Sequence, residues 1–96
     1  MDKTFYAVKL IPPRPDFAIT MSEEEIGIMG KHAAYWQQHM DKGIVHVFGP
    51  VLDPKGVYGF GVVSAENEEQ LKEFIDNDPA LAINTVEYYP MIAVVK

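Results

Sequence analysis

Four largely apolar segments of the chain are rich in β-branched and aromatic residues, which is typical of β-strands. These segments are Thr4–Leu10, residues 44–49, residues 57–64 and residues 85–95. The second and third are joined by a short stretch rich in glycine and proline, which is too short for a parallel crossover and predicts an antiparallel hairpin. Pro90 lies inside the last segment and predicts an edge strand or a bulge.

A helical pattern lies between the first two strands. Two overlapping capping boxes, Thr20 with Glu23 and Ser22 with Glu25, indicate where this helix begins, and Gly43 follows its predicted last residue. Apolar side chains at spacings of three and four predict the stripe that packs on the sheet. That stripe consists of Ile26, Met29, Ala33, Trp36 and Met40.

A second, shorter helix is predicted to begin at Asn67 and to end before the sequence Asn77-Asp78-Pro79. The predicted order is therefore strand, helix, strand, strand, helix, strand. This order is typical of the ferredoxin-like βαββαβ α+β fold, a four-stranded antiparallel sheet with two helices on one face. With 96 residues, the chain is expected to form one domain over residues 1–96. The proline-rich segment 11–17 is predicted to be a loop, and its role stays open.

The other face of such a sheet has no helix to cover it. Tyr58, Phe60 and Val62 alternate with Gly59 and Gly61 in the third strand. We expect the uncovered face to carry aromatic residues and glycines, and a second copy of the chain would bury it in a sheet-to-sheet homodimer. A strand glycine such as Gly59 also allows close approach of a ligand.

Charge and composition bear on the choice of partner. The formal net charge is −6 and the basic residues are dispersed, so we expect no binding to nucleic acid or to anionic membranes. The sequence has no cysteine, no apolar leader and no membrane-spanning run, which favours the cytoplasm. His32 and His39 are two helical turns apart, too far to share a metal ion, and no nucleotide or dinucleotide motif occurs, so no metal or cofactor is expected.

His32 and Asp78 are the candidates for catalysis. Imidazole changes its charge close to cellular pH and can act as a general acid or base when a carboxylate orients it. The alternative is that His32 packs at the edge of a helix and that Asp78 only starts a turn before Pro79. Tyr35 lies one helical turn after His32 and could donate a hydrogen bond to a ligand. Gly49 and Pro50 suffice as a chain reversal, although a glycine there also leaves room for a ligand.

Four stretches together resemble the YCII-related family: residues 29–35, Gly43, residues 48–56 and residues 77–80. The resemblance implies a ferredoxin-like fold, a dimer formed through the sheets, and an acid/base pair at His32 and Asp78. One position departs from the pattern, because Asn84 stands where many relatives have glycine. Asparagine tolerates the left-handed conformation well, so we expect the backbone turn to be kept.

Two functions from different classes remain open. The first is a cofactor-independent lyase or isomerase acting on a small carbonyl or lactone compound, with His32 moving a proton and Asp78 fixing its tautomer. Its ligand contacts would come from Tyr35, Gly49, Pro50 and Gly59. The second is a non-catalytic small-ligand-binding or dimerisation module that uses the same pocket without making or breaking a bond. A scaffold for another protein is a third alternative.

Overall fold

The computed structural model describes residues 3–95. Its strands are β1 (Thr4–Ile11), β2 (Val45–Val51), β3 (Tyr58–Ala65) and β4 (Thr85–Met91). Its helices are α1 (Phe17–Thr20), α2 (Glu23–Asp41) and α3 (Glu68–Asp76), and a 3₁₀ turn follows at Pro79–Ala82. Among residues 3–95, no helix has the length and apolar character that a membrane crossing needs.

The four strands form one antiparallel sheet in the order β2-β3-β1-β4. The predicted ferredoxin-like fold is confirmed, and so is the β2–β3 hairpin. Pro90 lies opposite Tyr6 on the edge strand β4, where its missing N–H costs the ladder little. This strand ends at Met91 and is therefore shorter than the predicted segment 85–95.

The start of α2 follows one of the two predicted capping boxes. The Ser22 hydroxyl accepts a hydrogen bond from the Glu25 amide at 3.2 Å, and the Glu25 carboxylate accepts one from the Ser22 amide at 2.9 Å. The other predicted box, Thr20 with Glu23, is wrong. Thr20 is the last residue of α1, which begins at the end of the predicted loop, and its hydroxyl donates to the Asp16 carbonyl.

The ends of the other helical segments agree with the sequence patterns. Gly43 has φ +84°, the left-handed conformation predicted for the residue after α2. Asn67 accepts a hydrogen bond from the Gln70 amide at 2.8 Å and caps α3. These local signals set where the helices begin and end, and therefore how they approach the sheet.

Helices α2 and α3 cover the same face of the sheet and enclose the core. Its buried members are Tyr6, Val8, Trp36, Val45, Val63, Ala65, Leu71, Phe74 and Ile75. The predicted stripe on α2 is wrong at Ile26, which is 56% exposed. The inward face of α2 keeps the other four predicted residues and also includes His32. A histidine can occupy this face because its polar atom has a hydrogen-bond partner there.

Gly59 and Gly61 face the helices and not the uncovered side of the sheet, which corrects the prediction. A Cβ atom on Gly61 would lie 2.5 Å from Cζ3 of Trp36, so only glycine lets the indole lie against β3. The uncovered face carries aromatic and aliphatic side chains, among them Phe60, Tyr89 and Met91. Gly61 thus positions Trp36, which belongs to the candidate site.

Candidate active site

The carboxyl group of Asp78 is the centre of a buried hydrogen-bond network. Asp78 precedes the 3₁₀ turn, where Pro79 and the bond from the Ala80 amide to Oδ1 at 2.9 Å hold it in place. Oδ2 accepts a bond from Nε1 of Trp36 at 2.6 Å. His32 Nδ1 lies 2.9 Å from Oδ1 and 3.0 Å from Oδ2. The Asp78 side chain is only 4% exposed, so three N–H donors replace water around it.

His32 and Asp78, which are separated by 46 residues in the sequence, are brought together by this network. A carboxylate can only accept hydrogen bonds, so Nδ1 of His32 carries a proton, and in the neutral ring Nε2 then keeps its lone pair. Within residues 3–95, Nε2 has no hydrogen-bond partner, and no buried polar side-chain atom is left unpaired. Nε2 must therefore reach accessible space.

His32 lies on the wall of a cavity of about 360 Å³ between the sheet and α2. His32, Trp36 and Asn84 contribute to its wall, and most of the remaining wall is apolar. Its apolar side chains include Val8, Leu10, Phe17, Met21, Met29 and Phe48. The volume falls in the lower part of the range typical of small-molecule sites.

The proline-rich segment, whose role the sequence left open, forms one side of this cavity. Pro12 and Phe17 from the segment line the wall, together with Ala18 and Met21 after it. Arg14 holds the segment to the first turn of α2, because its guanidinium donates to both oxygens of Glu25 at 2.7 and 3.0 Å.

The Arg14–Glu25 ion pair changes the pKa of Glu25. The hydrogen bond from Arg14, assisted by the Ser22 amide, lowers the pKa of Glu25 to about 2. The paired charges therefore hold the wall segment against α2 at neutral pH.

Three of the residues predicted to contact a ligand lie on the cavity wall, and the fourth does not. Gly49, Pro50 and Gly59 line it. Tyr35 instead donates its hydroxyl to the Phe74 carbonyl at 2.6 Å and stacks on the Phe74 ring. Burial, followed by the negative charges of Asp78 and Glu73, raises the pKa of Tyr35 to about 12.

Two residues of the site, Trp36 and Asn84, were not predicted from the sequence to belong to it. Trp36 was assigned only to the core, yet a buried indole needs an acceptor, and Asp78 is the carboxylate it reaches. Asn84 was expected to keep a left-handed turn, which is wrong because no described non-glycine residue has a positive φ. Its side chain is instead buried and donates from Nδ2 to the Ala80 carbonyl at 2.9 Å.

The other two histidines lie apart from the cavity. His39 Nδ1 contacts the Tyr35 carbonyl at 2.8 Å, and His46 Nε2 contacts the Ser64 hydroxyl at 2.8 Å. In the part of the chain that the structure describes, no three His, Asp or Glu side chains are grouped as metal ligands.

A family model described as YCII-related domain matches residues 5–94. The chain belongs to the YCII-related family. A search of curated proteins found no match to this family member.

Among solved structures, the YCII-related chain is similar to 5-chloro-2-hydroxyhydroquinone dehydrochlorinase (TftG) from Burkholderia phenoliruptrix AC1100, in complex with 2,5-dihydroxybenzoquinone. The two share 23% sequence identity over 85% of this chain and 90% of that chain, with a TM-score of 0.56. At this level of identity, the likeness concerns the fold.

Proposed function

We propose that the protein is an acid/base enzyme, a lyase or an isomerase, that acts on a small carbonyl or lactone compound. The observation that carries this proposal is the His32–Asp78 contact of 2.9 Å at the wall of an apolar cavity. A buried carboxylate that orients an imidazole, with the second ring nitrogen left accessible, is the arrangement that general base catalysis requires.

In the proposed mechanism, Asp78 accepts the Nδ1 hydrogen and keeps Nε2 of His32 as the base. Nε2 takes a proton from the carbon next to the substrate carbonyl, and the C–H electron pair forms the enolate. In an isomerisation, Nε2 returns that proton to another carbon of the same enolate. In an elimination, the enolate electrons expel a leaving group from the neighbouring carbon and the imidazolium later releases its proton. Asp78 stabilises the imidazolium in both cases.

The surroundings of the pair support this role. Trp36 and the Ala80 amide fix the carboxylate of Asp78, so the imidazole needs no rearrangement before it accepts a proton. Gly49, Pro50 and Gly59 are proposed to contact the ligand through the cavity wall. The likeness to a protein named as a dehydrochlorinase and solved with a small ring compound supports the elimination variant.

The test is turnover on a panel of small lactones and hydroxylated or halogenated cyclic carbonyl compounds. We expect His32→Gln to lower kcat by about 10²–10⁴-fold, the usual contribution of a general acid or base. His39→Gln is the matched control, because it makes the same change on α2 outside the cavity. Wild-type turnover that His32→Gln leaves unchanged would overturn the proposal.

A second function, ligand binding without chemistry, is favoured by the apolar lining of the cavity. Such a wall binds small rings whether or not His32 reacts with them. Panel compounds that bind wild-type protein and His32→Gln alike, and that neither protein converts, would support this function over the enzymatic one.

We also propose a homodimer formed through the uncovered face of the sheet. Tyr89 is 63% exposed there, beside Phe60 and Met91, and this apolar surface would be buried by the same face of a second copy. Sedimentation equilibrium should give twice the chain mass of 10.8 kDa, and Tyr89→Glu should reduce it to the monomer. Ile19→Glu, an exposed site on α1, should remain dimeric; wild-type protein that sediments as a monomer would contradict the proposal.

A further inference from the structure

Asn84 places one atom of a buried amide at the cavity. The residue is only 7% exposed, and its Nδ2 donates to the Ala80 carbonyl at 2.9 Å and approaches Sδ of Met29 at 3.5 Å. These contacts use the amino side of the amide and fix its orientation. Among the described residues, Oδ1 has no hydrogen-bond partner. No fully buried side-chain nitrogen or oxygen atom in this part of the chain lacks a partner. Oδ1 is therefore not fully buried, and Asn84 belongs to the cavity wall.

Few polar side-chain atoms can meet a ligand in this cavity. The lining side chains with polar atoms are those of His32, Trp36, Tyr58 and Asn84. Trp36 already donates its Nε1–H to Asp78. The Tyr58 ring lies 4.5 Å from the Lys9 ammonium, and both side chains are on the opposite face of the sheet. Nε2 of His32 and Oδ1 of Asn84 remain, and both are acceptors.

We infer that Asn84 is a specificity-determining residue whose Oδ1 accepts a hydrogen bond from a ligand hydroxyl group. The inference rests on the proposed function for its substrate class, a carbonyl or lactone compound. It narrows that class to compounds of about one ring that also carry a hydroxyl group. An amide oxygen cannot pair with an ether or a carbonyl oxygen. A ligand without the hydroxyl therefore leaves Oδ1 desolvated and unpaired, and binding is weakened.

Asn84 is also linked to the proposed catalytic pair through the 3₁₀ turn. The Ala80 amide donates to Asp78, and the Ala80 carbonyl accepts from both the backbone and the side chain of Asn84 at 2.9 Å. Ala80 thus binds the Asp78 carboxylate through its amide and the Asn84 side chain through its carbonyl. A hydroxyl bound at Asn84 would place the ligand at a set position relative to His32.

The test compares two probes of the same ring, hydroquinone and 1,4-dimethoxybenzene, titrated into the protein under anaerobic conditions and followed by ¹H–¹⁵N NMR. The ratio of the two Kd values is compared between wild-type protein and Asn84→Leu. Effects of the substitution that weaken both probes equally cancel in this ratio. We expect the preference for hydroquinone to fall by about tenfold in Asn84→Leu, as for the loss of one hydrogen bond. A ratio that Asn84→Leu leaves unchanged would overturn the inference.

Two further measurements keep the result interpretable. If Asn84→Leu does not fold, the Asn84 side-chain amide signal of wild-type protein is followed instead; it should shift with hydroquinone and not with 1,4-dimethoxybenzene, and an equal response to both would refute the inference. The preference is also measured in His32→Gln, where it should persist. Its persistence, whatever the effect of that variant on turnover, separates selection by Asn84 from catalysis by His32.

Discussion

Replacing Asp78 by asparagine perturbs the network most selectively, because the side chain keeps its shape and loses one acceptor. Three N–H groups converge on the two oxygens of Asp78. If the asparagine oxygen takes the position of Oδ1, its NH₂ faces Nε1–H of Trp36. If the oxygen takes the position of Oδ2, the NH₂ faces the Ala80 amide. Either orientation leaves a buried donor without an acceptor.

The expected loss of stability follows from this unpaired donor. One buried, unsatisfied donor costs about 1–3 kcal/mol, and each kcal/mol lowers the melting temperature of a domain of this size by roughly 4–8 °C. The NH₂ group can also turn His32 to the other tautomer, because Nδ1 then accepts and Nε2 carries the proton. We expect this change to remove the proposed base and to lower turnover by about 10²–10⁴-fold.

The assay is urea unfolding followed by the fluorescence of Trp36, the only tryptophan in the sequence and itself a partner of Asp78. Asp76→Asn is the matched control, since it removes the same charge from an exposed residue at the end of α3 and should change stability by less than about 0.5 kcal/mol. Equal stabilities for Asp78→Asn and Asp76→Asn would refute the reasoning.

Two other substitutions test the packing and the wall of the cavity. Gly61→Ala should destabilise the protein by about 1–3 kcal/mol, because the new Cβ would lie 2.5 Å from the Trp36 ring, whereas Gly27→Ala has free space on α2 and should be neutral or stabilising in thermal unfolding. Glu25→Gln should lower the urea midpoint at pH 7. Since the pKa of Glu25 is lowered from 4.5 to about 2 by Arg14, this difference is present above about pH 4.5 and should vanish as the pH falls to 2; a constant difference would contradict the ion-pair account.

Much of the fold could be predicted because its signals are local. Each of these signals depends on residues within a few positions of one another. They are the β-forming residues of β1, the Ser22 capping box, the left-handed Gly43 and the cap at Asn67. The rotation of α2 could not be predicted in the same way. Ile26 is more apolar than His32, yet His32 faces inward because it finds a hydrogen-bond partner 46 residues away.

The site shows the same limit. His32 and Asp78 could be singled out by residue type and by family resemblance. The distance of 2.9 Å between Nδ1 of His32 and Oδ1 of Asp78 depends on how α2 packs against the 3₁₀ turn, which the sequence does not show. Trp36 carried a usable signal, since it lies one turn after His32 and its indole needs an acceptor. Asn84 carried none, because its role depends on burial behind the 3₁₀ turn.

The central claim is that Asp78 keeps the proton of His32 on Nδ1 and leaves Nε2 as the base at the cavity. The most direct measurement is a long-range ¹H–¹⁵N NMR spectrum of the neutral His32 ring in wild-type protein and in Asp78→Asn. The account predicts a protonated Nδ1 and a bare Nε2 in the wild type, with the tautomer changed in the variant. A wild-type ring protonated on Nε2 would contradict it.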